Sequence, residues 1–233
     1  MAIFAISITL SATFDNDAEA VNFLDYPAGA ERKQAFISFL RPLIEEYNLT
    51  LLHDRGKLTR LRQKAKLNIR EKRWLKHISQ NYGNASFDAD SDADWSRLIY
   101  KVDLIPTSLA LAQGAMESGW GSSRFSRQGN NYFGQWCYQS GCGLIPKNRN
   151  DSARHEVAKY ESAHESVISY INNLNKHSAY KELRAIRGQL RKANQVITGH
   201  HLAKGLQHYS ERGQVYVEEI QTLIRNNKLE TSI

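Results

Sequence analysis

Leu109-Ala110-Leu111-Ala112-Gln113-Gly114-Ala115-Met116-Glu117-Ser118-Gly119-Trp120-Gly121 reads as an apolar helix that ends on one carboxylate and a Gly-Trp-Gly turn. Pro106 suits its first turn and Gly119 its stop. Within the run only Gln113 and Glu117 are strongly polar. Four residues apart, they share one helix face. Apolar surroundings disfavour the charged form of Glu117 and raise its pKa. The negative end of the helix dipole acts weakly in the same direction. A carboxyl kept protonated near neutral pH is what glycosidic cleavage needs to protonate a leaving oxygen. The plainer alternative is a Glu that caps a buried helix at its wet end.

Working outward, the composition sets the class. The chain has 233 residues, enough for one core-forming domain and an extension. Helical periodicity is common and strand alternation scarce, so the class is mainly α. There are 31 Lys and Arg against 24 Asp and Glu, a net charge of +7 that favours anionic partners. No nucleic-acid-binding motif accompanies that charge, so nucleic acid is not an expected partner. Residues 1–13 form an apolar leader, too short to span a bilayer and similar to the hydrophobic core of a signal peptide, though without a basic start. Cys137 and Cys142 are the only cysteines. They flank a Gly-containing loop short enough for a disulfide, and two buried free thiols are the alternative. With the leader, a disulfide points to an oxidising compartment.

Residues 14–95 read as a helical extension and linker. A helix is expected over 31–47, with Pro42 inside it, and a basic helix over 57–79. The cations of the 55–76 stretch suit a solvated face or attraction to a wall or membrane surface. Asp88, Asp90, Asp92 and Asp94 lack the Gly and Glu of an EF-hand loop and read as a linker ending in a helix cap. Residues 96–233 form the second unit. Helices are expected near 96–102, 106–118, 178–187, 195–206 and 213–226. A β-hairpin with alternating faces is expected near Arg154–Tyr160. Ser162-x-x-Glu165 is a capping box for the helix that follows it.

Aromatics interleaved with Gly and Asn over 129–136 suit a sugar-stacking groove better than a helical core. Tyr132 and Trp136 are therefore expected at the cleft and Phe133 in the core. The amides of Asn130 and Asn131 suit binding acetamido groups or orienting the acid, with turn residues as the alternative. His200 and His201 are adjacent and point too far apart to chelate together, so no metal is expected.

Ala112-Gln113, Glu117 through Gly121, and Asn130-Asn131-Tyr132-Phe133-Gly134 together resemble the glucosaminidase domain of glycoside hydrolase family 73. Gln135-Trp136-Cys137 and Cys142 resemble its bacterial Bax-type branch. The likeness continues through His155–Tyr160, Leu202–Leu206 and Tyr209–Gly213, and spans about residues 100–225. It implies a lysozyme-like helical domain with a small β-hairpin lobe and an N-terminal helical extension. It also implies hydrolysis of peptidoglycan glycan strands by a monomer in the periplasm or outside the cell, with no cofactor. Glu117 would be the general acid. Glu156 is the best positional match for a second carboxylate, with Asp151 and Glu161 as rivals and the substrate's own acetamido group as the alternative. Tyr160 and Tyr209 match aromatic positions expected to touch substrate. A lytic transglycosylase and a catalytically silent wall-binding protein are the competing functions.

Overall fold

A computed structural model of the chain describes residues 21–146 and 155–230. The apolar leader at 1–13 and Asp151 lie outside the described residues.

The N-terminal helices differ from expectation in their joints. Helix α1 (Ala30–Arg62) runs unbroken through Pro42 for 33 residues. The stretch between the two expected helices is held by tertiary partners. Asn48 donates to Ile105 O at 2.7 Å and accepts from Ile105 N at 3.0 Å, and Leu51 is buried. The break falls after Gln63 instead, because Asn68 opens α2 (Ile69–Asn81) with a reciprocal capping box to Glu71. The basic 55–76 stretch is thus divided between two helices, and several of its cations are spent internally. Arg62 pairs with Asp92, Lys64 with Glu71, and Lys57 lies over the Trp74 ring.

Helix α3 (Asp92–Lys101) starts at the cap expected after the acidic linker, with the Ser91 hydroxyl accepting from Asp94 N. Helix α4 (Thr107–Ser118) carries the decisive stretch, and Leu109 through Ala112 are fully buried. Helices α5 (Arg124–Gly129), α6 (Ala163–Lys176), α7 (Lys181–Lys192), α8 (Gly199–Leu202) and α9 (Gln214–Asn226) complete the α-helices among the described residues, beside three short 3-10 turns. Helices α1, α8 and α9 pack against α4, so the core forms around it. The box at Ser162 is half formed. Its hydroxyl accepts from Glu165 N, while the Glu165 carboxylate reaches Glu161 N instead.

Asp103, between α3 and α4, ties the N-terminal helices to the rest. Arg191 of α7 forks onto both its oxygens at 2.7 and 2.6 Å. Arg187 of α7 and Arg55 of α1 approach at 3.7 and 3.5 Å. Burial would raise the Asp103 pKa, but these three guanidinium groups outweigh it and hold the carboxyl below its ordinary range. Arg187 is itself buried, and its desolvation brings it down to about 10.

The β lobe is a three-stranded antiparallel sheet: β1 (Trp136–Cys137), β2 (Gly143–Leu144) and β3 (Glu156–Ala158), in the order β1-β3-β2. The hairpin expected at 154–160 is instead the central strand, which pairs with both ends of the 136–144 loop. All three residues of β3 are buried, so no exposed face alternates with an inner one. The loop is closed by the Cys137–Cys142 disulfide. Among the described residues, no helix is long and apolar enough to cross a membrane.

Candidate active site

Glu117 sits in the last turn of α4, and Gly119 ends the helix in the left-handed region. Gly121 continues the turn at φ +78°, and the Phe23 ring lies so close that a Cβ there would overlap it. Phe23 precedes α1, so the extension is packed directly onto the turn behind Glu117. Trp120 adds an edge contact to Phe36 of α1.

A directed hydrogen-bond chain ends on the carboxylate. The Tyr170 hydroxyl donates to Gln113 Oε1 at 2.6 Å. Gln113 Nε2 donates to the Tyr216 hydroxyl at 3.0 Å, and Tyr216 donates to Glu117 Oε1 at 2.8 Å. The shared face of Gln113 and Glu117, four residues apart, is thus put to use. Oε2 takes no hydrogen bond from a described residue and lies beside Gly134, where an added Cβ would come within 3.1 Å of it. Burial raises the Glu117 pKa, and the Tyr216 bond and the Arg212 charge only partly oppose it. The group is a carboxyl biased towards its protonated form, with one oxygen fixed and one open.

Glu117 lines a cleft of about 1030 Å³ between the lobe, α6 and the segment before α9. Trp136 forms part of its rim. It is 56% exposed, with His155 stacked on it at 4.0 Å. Tyr209 also lines the cleft and donates to Phe133 O at 2.7 Å. The Tyr160 hydroxyl donates to Gln135 Oε1 and meets Ser169 Oγ, each at 2.9 Å, so it orients two cleft-lining residues.

Other expected substrate contacts lie behind the surface. Tyr132 is buried in a ring cluster with Phe23, Phe36 and Phe39, which corrects the expectation that it faces the cleft. The Asn131 amide is consumed by the backbone. It donates to Gln135 O and Ala158 O and accepts from Phe133 N and Gln135 N. Asn130 donates to Tyr160 O and Glu161 O. The pair therefore positions the Gly134 turn and joins it to the lobe. Phe133 is buried as expected and stacks on Tyr170 at 4.0 Å. Glu156 is only 6% exposed, and its oxygens accept from Gly141 N and Gly143 N at 3.0 and 2.8 Å. It braces the disulfide loop and does not line the cleft.

Tyr216 and Glu211 are among the polar groups at the site that no sequence signal singles out. Tyr216 occupies an inner-face position of α9, and a buried phenol there calls for a polar partner, which turns out to be Glu117. Glu211 lines the cleft from an irregular segment where no periodicity marks it.

A family described as mannosyl-glycoprotein endo-beta-N-acetylglucosaminidase matches residues 92–229. That span holds Glu117, its hydrogen-bonded partners and the whole described lobe. The chain belongs to this glucosaminidase family. It is also similar to Protein bax of Escherichia coli (strain K12), at 32% identity over 203 residues, 87% of this chain and 72% of that protein. No solved structure matches. The glucosaminidase span begins at the first residue of α3, so α1 and α2 stand outside it.

Proposed function

We propose that the protein hydrolyses peptidoglycan, cutting the β-1,4 bond between N-acetylglucosamine and N-acetylmuramic acid with Glu117 as general acid. The observation that carries this reading is the state of Glu117. It is a partly buried carboxyl with a raised pKa, fixed by Tyr216 at one oxygen and open at the other beside a large cleft. The glucosaminidase family and the similarity to Protein bax support the substrate class. The disulfide and the net charge of +7 support a cell-envelope or extracellular site of action on an anionic polymer.

Glu117 Oε2 donates its proton to the glycosidic oxygen as the C–O bond breaks. Positive charge then develops at the anomeric carbon. Glu156 has both oxygens engaged inside the lobe, so we assign the next step to the substrate's own acetamido oxygen. It closes on the anomeric carbon, and water opens the resulting ring with Glu117, now ionised, as base. Tyr209, Trp136 and Tyr160 shape the cleft around the reacting sugars.

Digestion of purified sacculi, borohydride reduction and mass spectrometry of the products test this reading. Reduced N-acetylglucosamine at the new ends is the expected result. Anhydromuramic ends would assign a lytic transglycosylase, and binding without any release would assign a silent wall-binding protein.

A further inference from the structure

Helix α6 turns a polar face to the cleft. Ser169, Asn172, Asn173 and Lys176 line it at spacings of three, four and seven, opposite the buried Val167, Tyr170, Ile171 and Leu174. Asn172 and Lys176 also wall a second cavity of about 170 Å³. Its other walls come from α1 and α2, including Tyr47, Asp54, Trp74 and Asn81. The two cavities share Asn172 and Lys176, one turn apart on α6. The second is built largely from chain that lies outside the glucosaminidase match.

The chemistry of that cavity is specific. Trp74 is partly buried and carries the Lys57 ammonium over its ring at 3.8 Å from the centroid. The Asn81 amide lies 3.0 Å from His77 Nε2. The Tyr82 hydroxyl reaches Asn172 Oδ1 at 3.5 Å, and Lys176 lies over the Tyr82 ring. Amides, a phenol and a carboxylate around an indole are the groups that recognise sugar hydroxyls and acetamido groups. The cavity is of the order of one pyranose ring. Asp54 and Lys176 place one charge of each sign in the wall, so the lining carries no net charge to select an acidic stem peptide.

We propose that this second cavity is a remote saccharide subsite, taking a pyranose unit further along the same glycan strand whose bond lies at Glu117. The proposal rests on the glycan-cleaving reading and gives the N-terminal helices a substrate-binding role. Long strands would be gripped by both cavities, and short ones by the Glu117 cleft alone.

The test uses the full chain carrying Glu117→Gln, so that strands bind without being cut. Stem-free peptidoglycan oligosaccharides of increasing length are titrated by calorimetry. Affinity should rise once a strand is long enough to reach the second cavity. Asn81→Ala, at an exposed position, should remove about two- to tenfold of that gain, the worth of one hydrogen bond. Asp54→Ala serves as a second variant. Short oligosaccharides should bind parent and variants alike. Equal affinity of long strands for parent and variants would overturn the proposal. Binding of short oligosaccharides with no gain at any length would overturn the subsite alone. Failure to bind any glycan would overturn the functional reading as well.

Discussion

The Tyr216 hydroxyl donates to Glu117 Oε1 at 2.8 Å across 99 residues of sequence. The bond favours the ionised carboxylate, whereas burial favours the protonated one, and burial wins. Tyr216 therefore orients the acid and tempers its pKa at the same time. Its own oxygen is held by Gln113, which is held by Tyr170, so the direction of every donor in the chain is set.

Tyr216→Phe removes the stabilising donor, so the Glu117 pKa should rise further. The alkaline limb of the turnover profile should move to higher pH by about one unit, the equivalent of a hydrogen bond to a charged group. The Gln113 amide loses its acceptor, which should cost about 1–3 kcal/mol of stability. A pH–rate profile and a denaturant melt check both. An unmoved alkaline limb would mean that Tyr216 does not tune the acid.

Gly134 sits at φ +64°, with Glu117 Oε2 on the side where a Cβ would project. Gly134→Ala should cost about 1–2 kcal/mol from the left-handed backbone. It should also lower turnover by about tenfold or more by displacing the open oxygen. Comparing kcat with melting temperature separates the two effects.

Much of this was readable before the structure, and the losses have physical causes. Gln113 and Glu117 could be paired because helical spacing is local. Tyr216 could not, because nothing in α9 states which helix its inner face meets. The strand at Glu156 is legible in the sequence, but what its side chain meets depends on distant partners. A lone hairpin would leave one face to solvent, whereas here the disulfide loop folds over Glu156 and engages its carboxylate through Gly141 N and Gly143 N. Asn131 and Tyr132 have the residue types of a sugar site, yet sequence cannot say that the backbone of the Gly134 turn uses the amide. Nor can it say that Phe23, Phe36 and Phe39 cover the ring. The continuity of α1 was hidden because Asn48 is a weak helix former whose partner, Ile105, is distant in sequence.

Asp103→Asn should destabilise the fold by roughly 3–5 kcal/mol, since it leaves Arg187 buried without its counter-charge. The Asp103 pKa is depressed in the folded state. Its contribution is therefore present above the ordinary carboxylate range and lost as pH falls through the lower folded value. Urea melts at descending pH should show this loss in the parent and not in the variant.

Glu117 has the opposite sign. Its folded-state pKa is raised, so its ionisation opposes folding above that value and is neutral below the ordinary carboxylate range. Glu117→Gln keeps an acceptor for Tyr216 without the charge. It should melt higher than the parent at neutral pH, with the difference vanishing in acid. Equal melting temperatures at every pH would show that the carboxyl is not perturbed.

The most direct measurement is the turnover of Glu117→Gln on purified peptidoglycan, alongside proof by circular dichroism that the variant is folded. General acid catalysis is typically worth ~10²–10⁴-fold, and the account predicts a loss of at least that size. A folded Glu117→Gln protein that releases fragments at close to the parent rate would contradict it.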